Sequence, residues 1–255
     1  MLSKNQIKEI QSLQVKKNRE EKKTFLAEGI KTVNEIINES PIIIEHIFAT
    51  HNFIHKNTLK IRQLQIKYTE ITEEELKKIS IQNNPNQAVA ICNYFKARPV
   101  SFDFENNFSF YLDDIRDPGN MGTIIRLADW FGINTIYCSP TSCEFYNPKV
   151  IQATMGSFLR VGLLYIELNE LIQKNNINHV YGAVLNGKSI YKEPLKNGLI
   201  IIGNEANGIG EQNLQKATQL ISIPANNNKT ESLNAAIACS IIAAEFFRQL
   251  KSQFH

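Results

Sequence analysis

The chain has 255 residues, enough for one large domain or for two ordinary ones of about 100–150 residues each. Its residues are 43% hydrophobic and 21% charged, the balance of a globular protein with a proper core, and no run reaches the roughly 18 consecutive apolar residues of a membrane span. The formal net charge of +3 is unevenly divided: residues 1–100 carry 16 Lys and Arg against 11 Glu, whereas residues 101–255 carry 12 against 14 acids.

The first residues, MLSKNQIKEIQSLQVKKNREEKK, lack the apolar core of a signal peptide. Four cysteines, Cys92, Cys138, Cys143 and Cys239, show no zinc-ligand spacing. Both features predict reduced thiols in a cytoplasmic protein with no membrane partner.

In chain order, residues 3–24 are predicted to form one helix with Ile7, Ile10 and Leu13 on one face. Its cations Lys16, Lys17, Arg19, Lys22 and Lys23 could attract phosphate over a Debye length of about 10 Å. The interleaved Glu20, Glu21 and Glu28 make it equally readable as a solvated face, and taken alone the run supports that plainer reading. FLAEG (25–29) predicts a short strand or turn, and a helix with Ile30, Val33 and Ile37 as its stripe follows to about Asn38. Residues 42–50 and 66–70 predict strands. Thr72 ahead of Glu73, Glu74 and Glu75 predicts a capped helix start, and AVAICNYF (88–95) a further strand. His51 and His55 have a spacing that could hold a metal on a helix, but without a third ligand they are expected on a surface loop. Residues 1–95 thus predict a small α/β domain, and KARPVSFDFENN (96–107) a polar, Pro-containing linker.

From residue 108 to the end, strands alternate with helices: strands near 108–115, 133–139, 163–166, 179–184, 198–202 and 220–223, and helices over 120–131, 148–158 and 232–250. That alternation predicts a mostly parallel sheet covered on both faces, with any ligand outside the carboxyl ends of the strands.

Three loops at such ends carry the chemistry. In LDDIRDPGNMGTIIRLADWFG (112–132) a strand meets a turn and then a helix. Asn120 could simply cap that helix. Arg126, among Ile124, Ile125, Leu127 and Ala128, is expected on a helix face that packs on the sheet, where an unpaired Arg is rare and its forked donors suit a phosphate. In LIIIGNEANGIG (199–210) an apolar strand runs into Gly203, Gly208 and Gly210, residues that permit close backbone approach to a ligand. Neither the dinucleotide fingerprint nor a P-loop lysine is present. In LISIPANNNKTESLNAAIACSIIAAEFF (220–247) a strand ends at Pro224, and Thr230-Glu231-Ser232 open the last helix. Ser232 and Asn234 then lie near a helix N-terminus, whose free N–H groups favour anions.

Together and in this order, the three loops resemble the motifs of the SpoU (TrmH-type) branch of the SPOUT RNA methyltransferases. The similarity spans about residues 108–248. The N-terminal unit is similar to the L30e-like substrate-binding domain that often precedes that catalytic domain, a likeness carried by element order and the LAEG segment. The resemblance implies an α/β protein: a C-terminal SPOUT trefoil-knot domain (108–255) with a mostly parallel sheet, preceded by the L30e-like domain (1–95). It implies a homodimer, S-adenosyl-L-methionine as methyl donor, no metal, and an RNA substrate, ribosomal RNA ahead of transfer RNA. Carried over position by position, Leu185, Gly203, Ile223 and Leu233 are expected cofactor contacts, and Asn120, Arg126, Glu205, Ser232 and Asn234 the catalytic set. Trp130, where small residues are common, and Ala235-Ala236, where Val-Ser is frequent, depart from the pattern at packing positions.

The implied reaction passes a methyl group from a sulfonium to a ribose 2′-oxygen. An arginine is an awkward base for it, because its side chain stays protonated in proteins. Arg126 is therefore expected to grip a phosphate and favour the developing alkoxide, and Glu205 to orient the second loop and Asn120. Two rival readings are a catalytically silent RNA-binding protein with a SPOUT-like domain and an unrelated nucleotide-binding α/β enzyme. The first need not keep all five polar residues, and the second lacks both phosphate-loop fingerprints.

Overall fold

A computed structural model describes residues 1–95, 102–226 and 232–250. Its contacts divide the chain into two compact units, Met1–Ala97 with Glu144–Leu159, and Arg98–Cys143 with Arg160–His255.

The first unit begins with α1 (Lys4–Ser12) and α2 (Lys16–Lys22) where one continuous helix was expected. The break has a local cause: Leu13 to Val15 close tight turns onto Ile10, Gln11 and Ser12, and Arg19 and Asn18 reach back to the carbonyls of Leu13 and Ser12. There follow β1 (Thr24–Glu28), α3 (Ile30–Glu39), β2 (Ile44–Ala49), α4 (His51–Gln63), β3 (Tyr68–Glu70), α5 (Glu73–Ile79) and β4 (Ala88–Asn93). The sheet order is β1-β4-β2-β3, antiparallel except for the β2–β3 pair. Thr72 caps α5 through a reciprocal box with Glu75, as its sequence predicts. His51 and His55 lie on α4 and not in a loop, and no cluster of metal-binding side chains occurs among the described residues.

The sequence reading located positive charge on α2, but the structure neutralises much of it. Arg19 is 2% exposed and gives two hydrogen bonds to Glu144; Lys22 pairs with Glu9 and Lys16 with Glu20. Glu144 belongs to the stretch that supplies α7 (Pro148–Thr154) to this unit. That stretch also brings Tyr146, whose ring stacks on Tyr94 at 3.8 Å between centroids and whose hydroxyl donates to the Phe95 carbonyl.

The second unit contains β5 (Phe108–Leu112), α6 (Pro118–Trp130), β6 (Thr135–Cys138), β7 (Gly162–Tyr165), α8 (Leu168–Asn175), β8 (Val180–Ser189), β9 (Gly198–Ile202), α9 (Glu211–Leu214), β10 (Gln219–Ser222) and α10 (Ala235–Leu250). Its sheet runs β10-β8-β9-β5-β6-β7 and every pairing is parallel. β5 and β9 are buried along their whole length, as expected for strands covered on both faces. On one side Leu168, Leu171, Ile177, Leu199 and Ile201 build a core. Phe102 and Phe104, from the second half of the expected linker, pack on that core; its first half lies outside the described residues.

β8 is longer than its sequence suggests and leaves its partner midway. Leu220 of β10 pairs with Gly182, whereas the next residue, Ile221, pairs with Lys188. Residues 183–187 therefore swing out of the ladder, with Leu185 70% exposed. Gly187 lets the excursion close, since a Cβ there would stand 2.5 Å from the Ile221 carbonyl carbon.

Candidate active site

The strand order brings the candidate residues to one edge of the second unit. Ile223 follows β10, Leu185 is in the β8 excursion and Gly203 follows β9, and these three parallel strands are neighbours. β5, next to β9, leads through Asp113 to Asn120. In a parallel sheet this edge is where ligands bind.

The first loop is shaped by its own caps. Asp117, not Asn120, caps α6, its carboxylate accepting the Asn120 N–H at 2.7 Å. The structure so corrects the plainer reading of Asn120 and leaves its side chain free for other contacts. The amide of Asn120 donates to the Glu205 carboxylate and its oxygen accepts from the Asn234 amide at 2.8 Å. Asn234 in turn caps α10, its side-chain oxygen accepting from the N–H groups of Ala236 and Ile237. One side chain from each loop thus joins a single hydrogen-bonded line, Glu205–Asn120–Asn234.

The second loop is closed on itself. Asn204 and Gly208 exchange both backbone hydrogen bonds, and the Asn204 side chain accepts from Ala206 while donating to the Asp114 carbonyl. A Cβ on Gly203 would lie 2.2 Å from the Gly208 carbonyl carbon, so only glycine fits this approach. Asp113, buried at the end of β5, accepts from the Gly210 N–H and the Asn213 side chain. Ile209 sinks into the core between these anchors. Sequence reasoning passed over Asp113, Asn204 and Asn213; the signals for them were the acidic pair ending a buried strand and the amides flanking the glycines.

Arg126 and Ser232 stay outside the hydrogen-bonded line. Arg126 is exposed, which corrects the expectation of a face packed on the sheet. Ile124, Ile125 and Ala128 take the buried positions of α6. Arg126 makes no ion pair or hydrogen bond among the described residues. Ser232 is exposed and makes none either. The segment 227–231, including the expected helix opening at Thr230 and Glu231, lies outside the described residues; the last helix starts at Ala235.

Whether these residues suit a nucleoside-bearing donor can be judged from their surfaces. Leu185 and Leu233 keep 70% and 43% of their surface exposed, and Ile223 is half-buried. Apolar side chains left bare beside a glycine loop offer what a purine face would cover. The neighbouring donors and acceptors are backbone groups, the Asn120 and Asn234 amides and the Glu205 carboxylate, suited to hydrogen bonding a ribose and a base edge. The residues fit such a group.

Residues 107–244 match the family model described as SpoU rRNA Methylase family, and residues 4–90 match an MRM3-like substrate binding domain. The chain is 26% identical over 245 residues to the 23S rRNA (guanosine(2553)-2′-O)-methyltransferase RlmP of Bacillus subtilis, covering 94% of this chain and 95% of that protein. It is 30% identical over 249 residues to the 23S rRNA (guanosine-2′-O-)-methyltransferase RlmB of Blochmanniella floridana, covering 89% and 96%. Among solved structures it resembles an AdoMet-bound rRNA methyltransferase from Sinorhizobium meliloti, with a TM-score of 0.82 at 27% identity over 98% of this chain and 97% of that one.

Proposed function

The chain belongs to the SpoU rRNA methylase family, and on that premise we propose that it methylates a ribose 2′-hydroxyl of ribosomal RNA with S-adenosyl-L-methionine as donor. Its C-terminal unit has the α/β trefoil-knot fold of the SPOUT methyltransferases, and its N-terminal unit is a substrate-binding domain. The observation that carries the residue-level reading is the Glu205–Asn120–Asn234 line, which ties the three motif loops together at one sheet edge.

S-adenosyl-L-methionine, when bound, supplies an electrophilic methyl group on a cationic sulfur. Leu185, Ile223 and Leu233 would hold its adenine, and the closed turn at Gly203 would offer backbone groups to the ribose and base edge. Asn120, fixed from both sides, holds the second and third loops in register so that this surface is formed before the donor arrives. Arg126 is exposed and makes no ion pair or hydrogen bond among the described residues, so its guanidinium is available to a phosphate next to the target ribose, where it stabilises charge developing on the 2′-oxygen. Ser232, also exposed, can accept or donate at the same hydroxyl. Glu205 serves as an orienting group through its bond to Asn120.

Two finer statements belong to the same proposal. Trp130 is 85% exposed, and Ile237 and Phe247 of α10 also show much of their surface. α6 and α10 pack together, with Phe131 against Phe247, and this apolar face is read as the contact of a homodimer. The four cysteines are free, in keeping with a cytoplasmic location, and no helix among the described residues is long and apolar enough to cross a membrane.

The test is incubation of the purified chain with methyl-labelled S-adenosyl-L-methionine and either 23S rRNA or tRNA transcripts, followed by nucleoside analysis. Label in a 2′-O-methylated nucleoside from 23S rRNA is expected. Label only in tRNA would correct the substrate, and no transfer to any RNA would favour a silent binding protein.

A further inference from the structure

Exposed positive charge in the N-terminal unit also lines a helix other than the one its sequence advertises. Residues 46–69 hold Lys56, Lys60, Arg62 and Lys67, with three histidines and no Asp or Glu. Helix α4 occupies most of this stretch. It buries Phe53, Ile54 and Ile61 against its own unit, and it turns His55, Lys56, Leu59, Lys60 and Arg62 outward. Lys56 and Lys60 stand one turn apart, about 6 Å along the axis, and Arg62 lies about 120° further round the helix from Lys56, with the exposed Leu59 between them.

The contacts of these cations differ from those on α2. There, Arg19, Lys22 and Lys16 are each engaged by a carboxylate. Here Lys60 reaches only the neutral Asn38 side chain, and Lys56, Arg62 and Lys67 meet no carboxylate among the described residues. At the start of α4 the His51 and His55 rings stack 6.0 Å apart, and Glu70, against His51, is the carboxylate that borders this end. Exposed cations that meet no carboxylate among the described residues keep their potential for an external polyanion.

We infer that the outer face of α4, with Lys56 and Lys60 on one flank and Arg62 on the other, is the surface by which the N-terminal unit holds the phosphate backbone of the substrate RNA. The α2 cluster is structural. The inference rests on the RNA methyltransferase reading and goes beyond it by naming the face. Arg62 provides a fork for two phosphate oxygens, and Lys56 and Lys60 act as point charges.

The experiment measures binding of a fluorescein-labelled 23S rRNA fragment by anisotropy across a series of KCl concentrations, with donor affinity measured by calorimetry on the same samples. The variants are Lys56→Glu/Arg62→Glu on α4 and Lys17→Glu/Lys22→Glu on α2. The α4 pair is expected to weaken RNA binding at least about tenfold and to flatten the plot of log K against log salt by about 1.4, at roughly 0.7 for each phosphate contact of single-stranded RNA lost. Donor affinity and melting temperature should not move. The α2 pair should stay within about twofold of wild type in RNA affinity. Equal losses from both pairs, or none from the α4 pair, would overturn the assignment. A wild-type chain that binds the donor but not the RNA would also overturn it, whereas one that binds neither would overturn the methyltransferase reading itself.

Discussion

The Asp113 carboxylate accepts the backbone N–H of Gly210 at 2.8 Å, 97 residues further along the chain. This bond pins the far end of the glycine loop to the end of β5. The near end is pinned by Asn204, whose side chain donates to the Asp114 carbonyl. Adjacent residues of the first motif thus hold both ends of the second, and Glu205 is presented between them.

Removing the brace takes away the hydrogen bonds that Gly210 and Asn213 make to a charged group, each worth about 1.5–3 kcal/mol. Asp113→Ala is therefore expected to weaken S-adenosyl-L-methionine binding by roughly tenfold or more, since 1.4 kcal/mol is a factor of ten. Asp113→Asn keeps an acceptor for Gly210 and should recover most of the loss. Calorimetry reads both values; a fall in melting temperature with unchanged donor affinity would assign Asp113 to stability alone.

Glu205 is assigned to orientation, and its amide variant separates that role from proton abstraction. Glu205→Gln retains an oxygen for the Asn120 amide and should keep turnover within about tenfold of wild type, whereas a general base is worth about 10²–10⁴. Single-turnover methyl transfer distinguishes the two, and a collapse of the Gln variant to the level of Glu205→Ala would make Glu205 the base.

In the role proposed for it Arg126 acts through the shape of its fork, so its charge alone should not suffice. Arg126→Lys is expected to lower methyl transfer by about 10²-fold, in the range of a lost transition-state donor, with donor affinity unchanged because the residue lies outside the hydrogen-bonded line. Near-normal turnover by the Lys variant would defeat the positioning account.

Gly203 tolerates no side chain, because the atom it would strike is backbone. Gly203→Ala should open the closed turn and abolish measurable donor binding while the N-terminal unit stays folded. Hydrogen exchange would show loss of protection at Asn204 and Gly208, whose amides are paired in the closed loop. Intact protection in this variant would show that the loop does not need the close approach.

Burial pushes the Glu28 carboxyl above its ordinary value of 4.5, against the lowering pull of the Ser80 hydroxyl and the Ile81 N–H. A carboxyl whose pKa is raised on folding binds its proton more tightly in the folded state, so its contribution falls as pH rises from about 4.5 to the raised value and is constant above it. Glu28→Gln removes that fall. Melting curves at a series of pH values should show a difference between wild type and variant that changes over this interval and then levels off; a difference that is flat throughout would contradict the buried-carboxyl account.

Much of this architecture was legible in the sequence, for reasons that are local. Buried strands such as Phe108–Leu112 and Gly198–Ile202 announce themselves as apolar runs between turns, and Thr72–Glu75 is a cap with its partner three residues away. The motif side chains Asn120, Glu205 and Asn234 were each identified, but their joining depends on partners 85 and 114 residues apart. What failed was information that only distant contacts hold. Arg19 reads as a surface cation until Glu144, 125 residues away, is placed against it. Asn120 and Asp117 compete for one capping position, and periodicity cannot choose between them. Arg126 lies among apolar neighbours in sequence, but the rotation of about 100° per residue points it away from them, so its outward direction depends on which face of α6 meets the sheet. The β8 excursion has no sequence signature beyond the glycine that permits it.

The most direct measurement of the central claim is a crystal structure of the chain with S-adenosyl-L-homocysteine. The account predicts one molecule at the carboxyl ends of β8, β9 and β10, its adenine covered by Leu185, Ile223 and Leu233, its ribose against the Gly203 turn, and an Arg126 guanidinium from one copy or the other facing the homocysteine sulfur. A ligand bound elsewhere, or an Arg126 turned away from that cleft in every copy, would contradict it.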